Sequence, residues 1–324
     1  MAKNVNMIGT GAGMISGISY GFFGVFSSML LAAGFSDLSL VAIPPLSLVL
    51  YFGIRVLMKP HVMKEIPLKV YILMILQGAI GTTVLNYCYT QAYASGMPVG
   101  VVSVVAFCNV IVVMVLSVFV LKYKFTLPKV IAVVAAIFGV ALVIGLIGGG
   151  ANAGVYTAMG LMWTLLIPVF YGGNVVITSY GLSKNADSDG ILLLAQGASL
   201  LVVFIFMIHP IALYQDIFTH AVSAKVILAL LGFMLLPHIV CYAMMNEALK
   251  RIDPTIYQIM MSLDPVTALI LGILIMGQLV AGLQIVGIVI ILAAVAFITI
   301  MDGREAKAET EITGEADDLP ENNN

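Results

Sequence analysis

Charge is what this sequence has least of. Only 9% of its 324 residues are Asp, Glu, Lys or Arg, against roughly 25% in a soluble domain. Half of the sixteen acids (Asp302, Glu305, Glu309, Glu311, Glu315, Asp317, Asp318 and Glu321) crowd into the last stretch, which reads as a solvated, disordered tail over 302–324. A large aqueous domain is thereby excluded, and no nucleic-acid partner is expected. Cysteine is scarce as well. Cys88, Cys108 and Cys241 each sit inside an apolar segment at no metal-ligand spacing, so neither a disulfide framework nor a metal site is expected, and no cofactor. Hydrolytic signatures are missing too: there is no Gly-x-Ser-Gly, no Gly-x-Gly-Asp and no His-Glu-x-x-His.

What fills the chain is apolar, at 61%. Apolar runs of about 20 residues are the length a helix needs to cross a bilayer core. Ten such runs occur, at 11–33, 40–58, 69–93, 99–121, 128–148, 158–181, 190–208, 225–249, 254–276 and 279–300. The fold class expected is an all-α integral membrane protein of ten transmembrane helices. The first run follows a single Lys and superficially resembles a signal peptide, but it is long enough to span and has a counterpart later in the chain. With the N-terminus in the cytoplasm, thirteen of the fourteen Lys and Arg fall on inside loops and helix ends, leaving only Lys225 outside. That bias predicts both termini inside, in a cell (inner or plasma) membrane.

The chain repeats itself. Tyr20-Gly21 and Tyr171-Gly172 open similar stretches, with Ser27-Ser28 matching Thr178-Ser179. Gln91-Ala92-Tyr93 before Pro98 matches Glu247-Ala248-Leu249 before Pro254. Five helices per unit is odd, so the second unit would enter from the opposite face, giving two inverted five-helix repeats over 1–148 and 149–301. Transporters built this way place their substrate near the midplane between the repeats.

Residues 225–276 draw the eye as the organising stretch: two apolar segments meet at Lys250-Arg251-Ile252-Asp253-Pro254, one holding Pro237-His238 and the other Asp264-Pro265. From Ala248-Leu249-Lys250-Arg251 through Leu263-Asp264-Pro265-Val266, then Gly277-Gln278 and Gln284-Ile285-Val286-Gly287, the order and spacing resemble the drug/metabolite transporter superfamily, in its ten-helix EamA type. The resemblance covers the chain to about residue 300. It implies secondary transport of small metabolites, often efflux of amino acids or related compounds, with both termini cytoplasmic. Departures are Tyr123 and Gln278 where the family often has junction Glu, and Cys108-Asn109 where the first repeat commonly has Pro.

Asp264 lies about ten residues into its helix, hence roughly 15 Å deep. An acid there costs about 2.5–3.5 kcal/mol on insertion scales, which makes Asp264 the first choice for substrate contact and proton coupling. The bland alternative is a structural bond to a carbonyl freed by Pro265. His238, at comparable depth, is second choice for both roles; beside Pro237 it could equally satisfy a freed backbone group. His238, Cys241, Tyr242, Met245 and Asn246 share a helix face expected to point into the bundle. Tyr20, Tyr171, Asn174, Trp163 and Asn86 stand on similar polar stripes and are the further substrate-binding candidates, with Gln77 and Gln196 behind them. For any one of these, ordinary glue between helices is the rival explanation. Glu247 is expected to pair with Lys250 or Arg251 rather than couple. With no Lys or Arg expected deep in the bundle, a phosphorylated solute is disfavoured, and a neutral, zwitterionic or cationic small-molecule solute suits one acid among aromatics and amides. Protons and a homodimer are the further partners left open beside the lipid bilayer. Rivals are an intramembrane enzyme with a His238–Asp264 dyad, a channel, and an uptake carrier for a sugar or nucleoside.

Overall fold

The computed structural model describes residues 7–121, 127–144, 147, 156–249, 251, 257, 260–294, 296–297 and 300. The turn at 250–254 lies outside the described residues except for Arg251, as do Tyr123, the glycines at 148–150 and the acidic tail.

Among the described residues all regular structure is helical. In chain order the helices are α1 (Met7–Ala32), α2 (Asp37–Leu57), α3 (Leu68–Ala94), α4 (Val99–Phe107), α5 (Asn109–Leu121), α6 (Leu127–Val143), α7 (Ala158–Ser183), α8 (Ser188–Phe206), α9 (Pro210–His220), α10 (Ala224–Ala248), α11 (Leu263–Met276) and α12 (Gly282–Ala294). Six of these, α1, α2, α3, α7, α8 and α10, are long and apolar enough to cross a membrane, while Val99–Val113, Val130–Val143, α11 and α12 are shorter apolar helices. Large apolar side chains such as Ile54, Leu201, Leu228 and Leu274 are mostly exposed. So much open apolar surface belongs against lipid rather than water.

Helix starts follow local chemistry. Ser36, Thr157 and Ser223 cap α2, α7 and α10 by accepting the backbone N–H three residues on. Asp187 accepts from both Asp189 and Gly190 at the start of α8. Helix α11 ends at Gly277, whose left-handed φ of 63° lets Gln278 N–H reach back to the Gly272 carbonyl at 3.1 Å.

Two departures from straight rods matter. The expected single span 99–121 is broken by a turn at Cys108 into α4 and α5. No proline causes it. Helices α3 and α10 each contain one wide π turn, at Gln77–Thr82 and Leu235–Val240. In α10 the cause is plain: Pro237 has no N–H to give the Phe233 carbonyl, and the ladder slips by one residue.

Packing couples the helices in exchanged pairs. Helix α1 lies on the second half of α10 and on α11; α7 lies correspondingly on α3 and on α4–α5. Helices α2 and α8 pack on each other, as do α4 and α11. These are the pairings that a two-fold relation between α1–α6 and α7–α12 would generate.

Candidate functional site

Asp264 enters the bundle at the N-terminal turn of α11, 4% exposed. Glycine on α1 makes that position reachable. A Cβ on Gly17 would stand 2.7 Å from the Met260 carbonyl, and one on Gly21 2.9 Å from the carbonyl of Asp264. Only a residue without a side chain lets the two backbones approach so closely. The break before Leu263 therefore sits directly against α1.

Around the carboxyl stand hydroxyls and rings. The Ser103 hydroxyl of α4 is the near polar neighbour of both Asp264 and Tyr93. Tyr20, Tyr89 and Tyr257 also lie within electrostatic reach of Asp264. The rings form a continuous shell: Phe23 touches Tyr20 at 5.8 Å, Tyr89 at 5.0 Å and Tyr93 at 6.1 Å, and Tyr20 meets Tyr171 of α7 at 6.2 Å. Ser16, one turn before Tyr20, bonds the Tyr257 hydroxyl and the Cys241 carbonyl, both at 3.0 Å. Among the described residues, Asp264 Oδ1 completes no hydrogen bond, and neither does the Tyr93 hydroxyl. No Lys or Arg among them faces the acid; Arg55 is bonded to Asp189. A buried carboxyl with an idle oxygen thus has no counter-charge among the described residues.

His238 is placed differently. It is 3% exposed, and its Nδ1 bonds at 2.6 Å to the Phe233 carbonyl, the group Pro237 leaves without a partner. Phe23 and Phe233 close on the ring edge-on, at 5.6 and 5.0 Å. The backbone-satisfying role weighed for His238 is thus the one its geometry supports. None of the described contacts joins His238 to Asp264, so the dyad that an intramembrane enzyme would need is not assembled. Phe23 touches the imidazole and the tyrosines alike.

The other candidates divide. Tyr20 and Tyr171 meet, as above. Trp163 stacks edge-on with Tyr87 at 5.4 Å, two turns of α7 away from Tyr171. Asn174 presses its Oδ1 against Gly81 in the bent part of α3, and Asn86 is half-buried on α3; among the described contacts neither reaches Asp264. Gln77 donates to Thr178 at 3.2 Å, whereas Gln196 Oε1 is buried without a partner. Cys241 and Asn246 are buried with His238, so that face of α10 does point inward. Glu247 pairs with Arg251 as expected, and the three cysteines are free and buried.

The surroundings of Asp264 are packed with rings. A narrow crevice, with room for little more than a water molecule, lies further along the same α4–α11 seam, lined by Gly100, Val101, Leu269, Ile273, Gln278 and Gln284 among others. Gly100 is one turn from Ser103, and Leu269 little more than one from Asp264. The acid is therefore shut in, with a water-sized crevice a short step along its own groove. Gln278, in a junction-Glu position, accepts from Val99 N–H at 3.0 Å and ties the ends of α11 and α4.

Sequence reasoning missed Tyr89, Tyr93 and Ser103, and it missed a second polar cluster. Arg55 Nε donates to Asp189 Oδ2 at 2.8 Å, and Asn246 Nδ2 to Asp189 Oδ1 at 3.3 Å. This joins α2 to α8 and α10. Aromatics spaced four apart in an apolar run look like packing, and Asp189 beside Asp187 looks like a helix cap; neither signal stands out without the fold.

Comparison with known proteins agrees with this architecture. The EamA-like transporter family matches twice, over residues 7–145 and 158–300, on either side of the connection between α6 and α7. No curated protein matches. Fourteen solved chains match; one, described only as the crystal structure of a protein, superposes with a TM-score of 0.60 at 15% identity, over 91% of this chain and 98% of its own, and so shares the fold. The match covers both halves of the molecule, and the chain belongs to the EamA-like transporter family.

Proposed function

We propose that the protein is a secondary transporter that exports a small neutral, zwitterionic or cationic metabolite, such as an amino acid, by alternating access between two inverted units of five spans, 1–148 and 149–301. It would sit in the inner or plasma membrane with both termini cytoplasmic. The observation that carries this is the idle oxygen of Asp264 at the α4–α11 contact between the units, walled by tyrosines. A carboxyl without a counter-charge binds a proton or a solute ammonium group, but hardly both at once. Competition for one oxygen couples the two movements in opposite directions. Tyr20 and Tyr171, one from each unit, offer π faces to the same solute. His238 holds the bend of α10 through the Phe233 carbonyl; its second ring nitrogen is secondary to Asp264 in any coupling.

Asp264→Asn keeps the shape and removes the exchangeable charge. Hydrogen bonds to charged groups contribute about 1.5–3 kcal/mol, so apparent solute affinity in proteoliposomes should fall on the order of ten- to hundredfold. Flux should also stop responding to an imposed pH gradient. Full retention of gradient-driven flux by the folded variant would refute the coupling role, and running the gradient in both directions decides between export and uptake.

A further inference from the structure

Helix α9 fills the connection between α8 and α10. Its eleven residues extend about 16 Å, too short to cross a core of roughly 30 Å. It begins firmly, with Pro210 at its first position and His209 Nδ1 accepting from Ile211 N–H at 3.3 Å. Its two opposite sides differ. On one, Leu213 is buried and His220 lies on the α1–α2 connection, its ring 5.6 Å from Phe35 and close enough to Gly34 that a Cβ there would stand 2.9 Å away. From the same side Asp216 Oδ2 accepts both the backbone N–H of Ser36, at 3.0 Å, and its hydroxyl, at 3.1 Å, while His220 Nδ1 stands 2.8 Å from Asp216 Oδ1. Partial burial would push the Asp216 carboxyl up, but the bonds from Ser39 and Ser36 and the nearby His220 hold it below the ordinary carboxylate range. It is thus an ionised acceptor reaching from one unit to the other.

On the opposite side Ile211, Tyr214 and Phe218 are 60–65% exposed in a single stripe, with the last two rings 4.3 Å apart. One flank between the two sides carries the exposed polar residues Gln215 and Thr219. In chain order the stripe lies between exposed apolar residues that a bilayer must already cover: Leu201, Ile205 and Phe206 where α8 ends, and Leu228 on α10. A helix with protein behind it, apolar rings in front and polar groups on one edge fits the boundary between headgroups and hydrocarbon. A short connection between two spans, tied back to the bundle, keeps that stripe within reach of the leaflet those spans enter.

We infer that α9 is an interfacial strap: its Ile211–Tyr214–Phe218 side seats in the leaflet at this end of the bundle, and its Asp216–Ser36 bonds hold the two units together there. The lipid seat stands on its own; the holding role rests on the transporter reading. Trp163 is the one tryptophan in the chain, so it supplies a constant baseline for introduced ones. In vesicles of brominated phosphatidylcholine, the added emission of Tyr214→Trp and of Phe218→Trp should fall about twofold or more, and that of Thr219→Trp much less. Equal emission with and without bromine at 214 and 218, or cross-linking of these positions between copies, overturns the lipid seat. For the strap, Ser36→Cys with Asp216→Cys is bridged by a short, reducible thiol reagent, with the buried native cysteines retained. Flux should stop on bridging and return on reduction, while each single variant keeps its flux under the same reagent. Flux that survives the bridge overturns the holding role. A double variant that moves no solute even before bridging, when the parent protein moves none either, overturns the transporter reading and the holding role with it, and leaves the lipid seat to the quenching result.

Discussion

Gly21 and Gly172 occupy matching places in the two halves, each after a tyrosine, and each lets its helix press on the broken span of the other half. A Cβ on Gly21 would meet Thr267 Cβ at 2.6 Å and the Asp264 carbonyl at 2.9 Å; one on Gly172 would meet Val112 Cβ at 2.8 Å and the Asn109 carbonyl at 3.1 Å. The scaffold is the same twice over, down to a carbonyl at the break. The chemistry is not. On one side the break carries Asp264-Pro265, with an oxygen left idle; on the other it carries Cys108-Asn109, whose Asn109 Nδ2 closes on the Ala106 carbonyl at 3.1 Å. Under the proposed mechanism, symmetric packing would supply the hinges for two rocking units, and the one unsatisfied acid a direction for the coupling.

The largest effect should come from filling those two contacts. Gly21→Val and Gly172→Val each drive a branched side chain against a backbone carbonyl, and overpacking of this kind typically costs about 1–3 kcal/mol. Both variants should lower the thermal midpoint of the purified protein by similar amounts. Gly21→Val should in addition displace Asp264, with a fall in apparent solute affinity on the order of tenfold, equivalent to ~1.4 kcal/mol. Equal losses of affinity in the two variants would erase the distinction between the halves.

Much of this arrangement can be read from residue order alone. Apolar runs of spanning length locate the six long helices because lipid demands that length, and Tyr20-Gly21 and Tyr171-Gly172 mark the two halves because both positions meet the same steric demand. Burial is legible too, since an acid in an apolar run has to turn inward and Asp264 does, although it stands in the first turn of α11 and not ten residues into a helix. Azimuth and partner are not. Trp163 and Asn174 share a stripe with Tyr171, yet Trp163 lies eight residues away, about 12 Å along the axis, and packs on Tyr87. The breaks at Cys108 and in α3 have no proline to announce them, and in α3 Gly78 instead admits the Ala195 carbonyl of α8 against its own backbone. Helix α9 mixes polar and apolar residues over eleven positions, which on paper is a loop. His238 looked like a relay because imidazole at depth is costly, and the cost is met locally by the carbonyl that Pro237 frees.

A second contrast separates the two ends of the bundle. Asp37 at the start of α2 accepts from Gln91 at the end of α3; Asp189 at the start of α8 accepts from Asn246 near the end of α10. Among the described residues only Asp189 also receives a cation from the other half, Arg55. Arg55→Met strands a carboxylate that is 8% exposed, a change that should cost about 1–2 kcal/mol once the exposure of Arg55 is discounted. Gln91→Leu leaves the half-exposed Asp37 to be solvated and should cost about 0.5–1 kcal/mol. The order of the two thermal midpoints checks this. Thiol labelling of Ala186→Cys, buried near the Arg55 end, should accelerate in the first background and not in the second.

The smallest and sharpest effect concerns one hydroxyl. Ser103 is the polar neighbour that Asp264 and Tyr93 share, so Ser103→Ala takes a hydroxyl from beside the acid without changing the volume of the seam by more than an oxygen. A net contribution of about 1 kcal/mol translates to roughly a fivefold change in apparent solute affinity, with the thermal midpoint little altered. Ser103→Thr keeps the hydroxyl and should restore most of the affinity. Asn109→Ala, at the matching break, removes a bond that closes only on its own helix turn, and it should cost stability while leaving affinity alone. If Asn109→Ala weakened solute binding as much as Ser103→Ala does, the solute would have to be touching both breaks, and the site would belong to the symmetry axis rather than to Asp264.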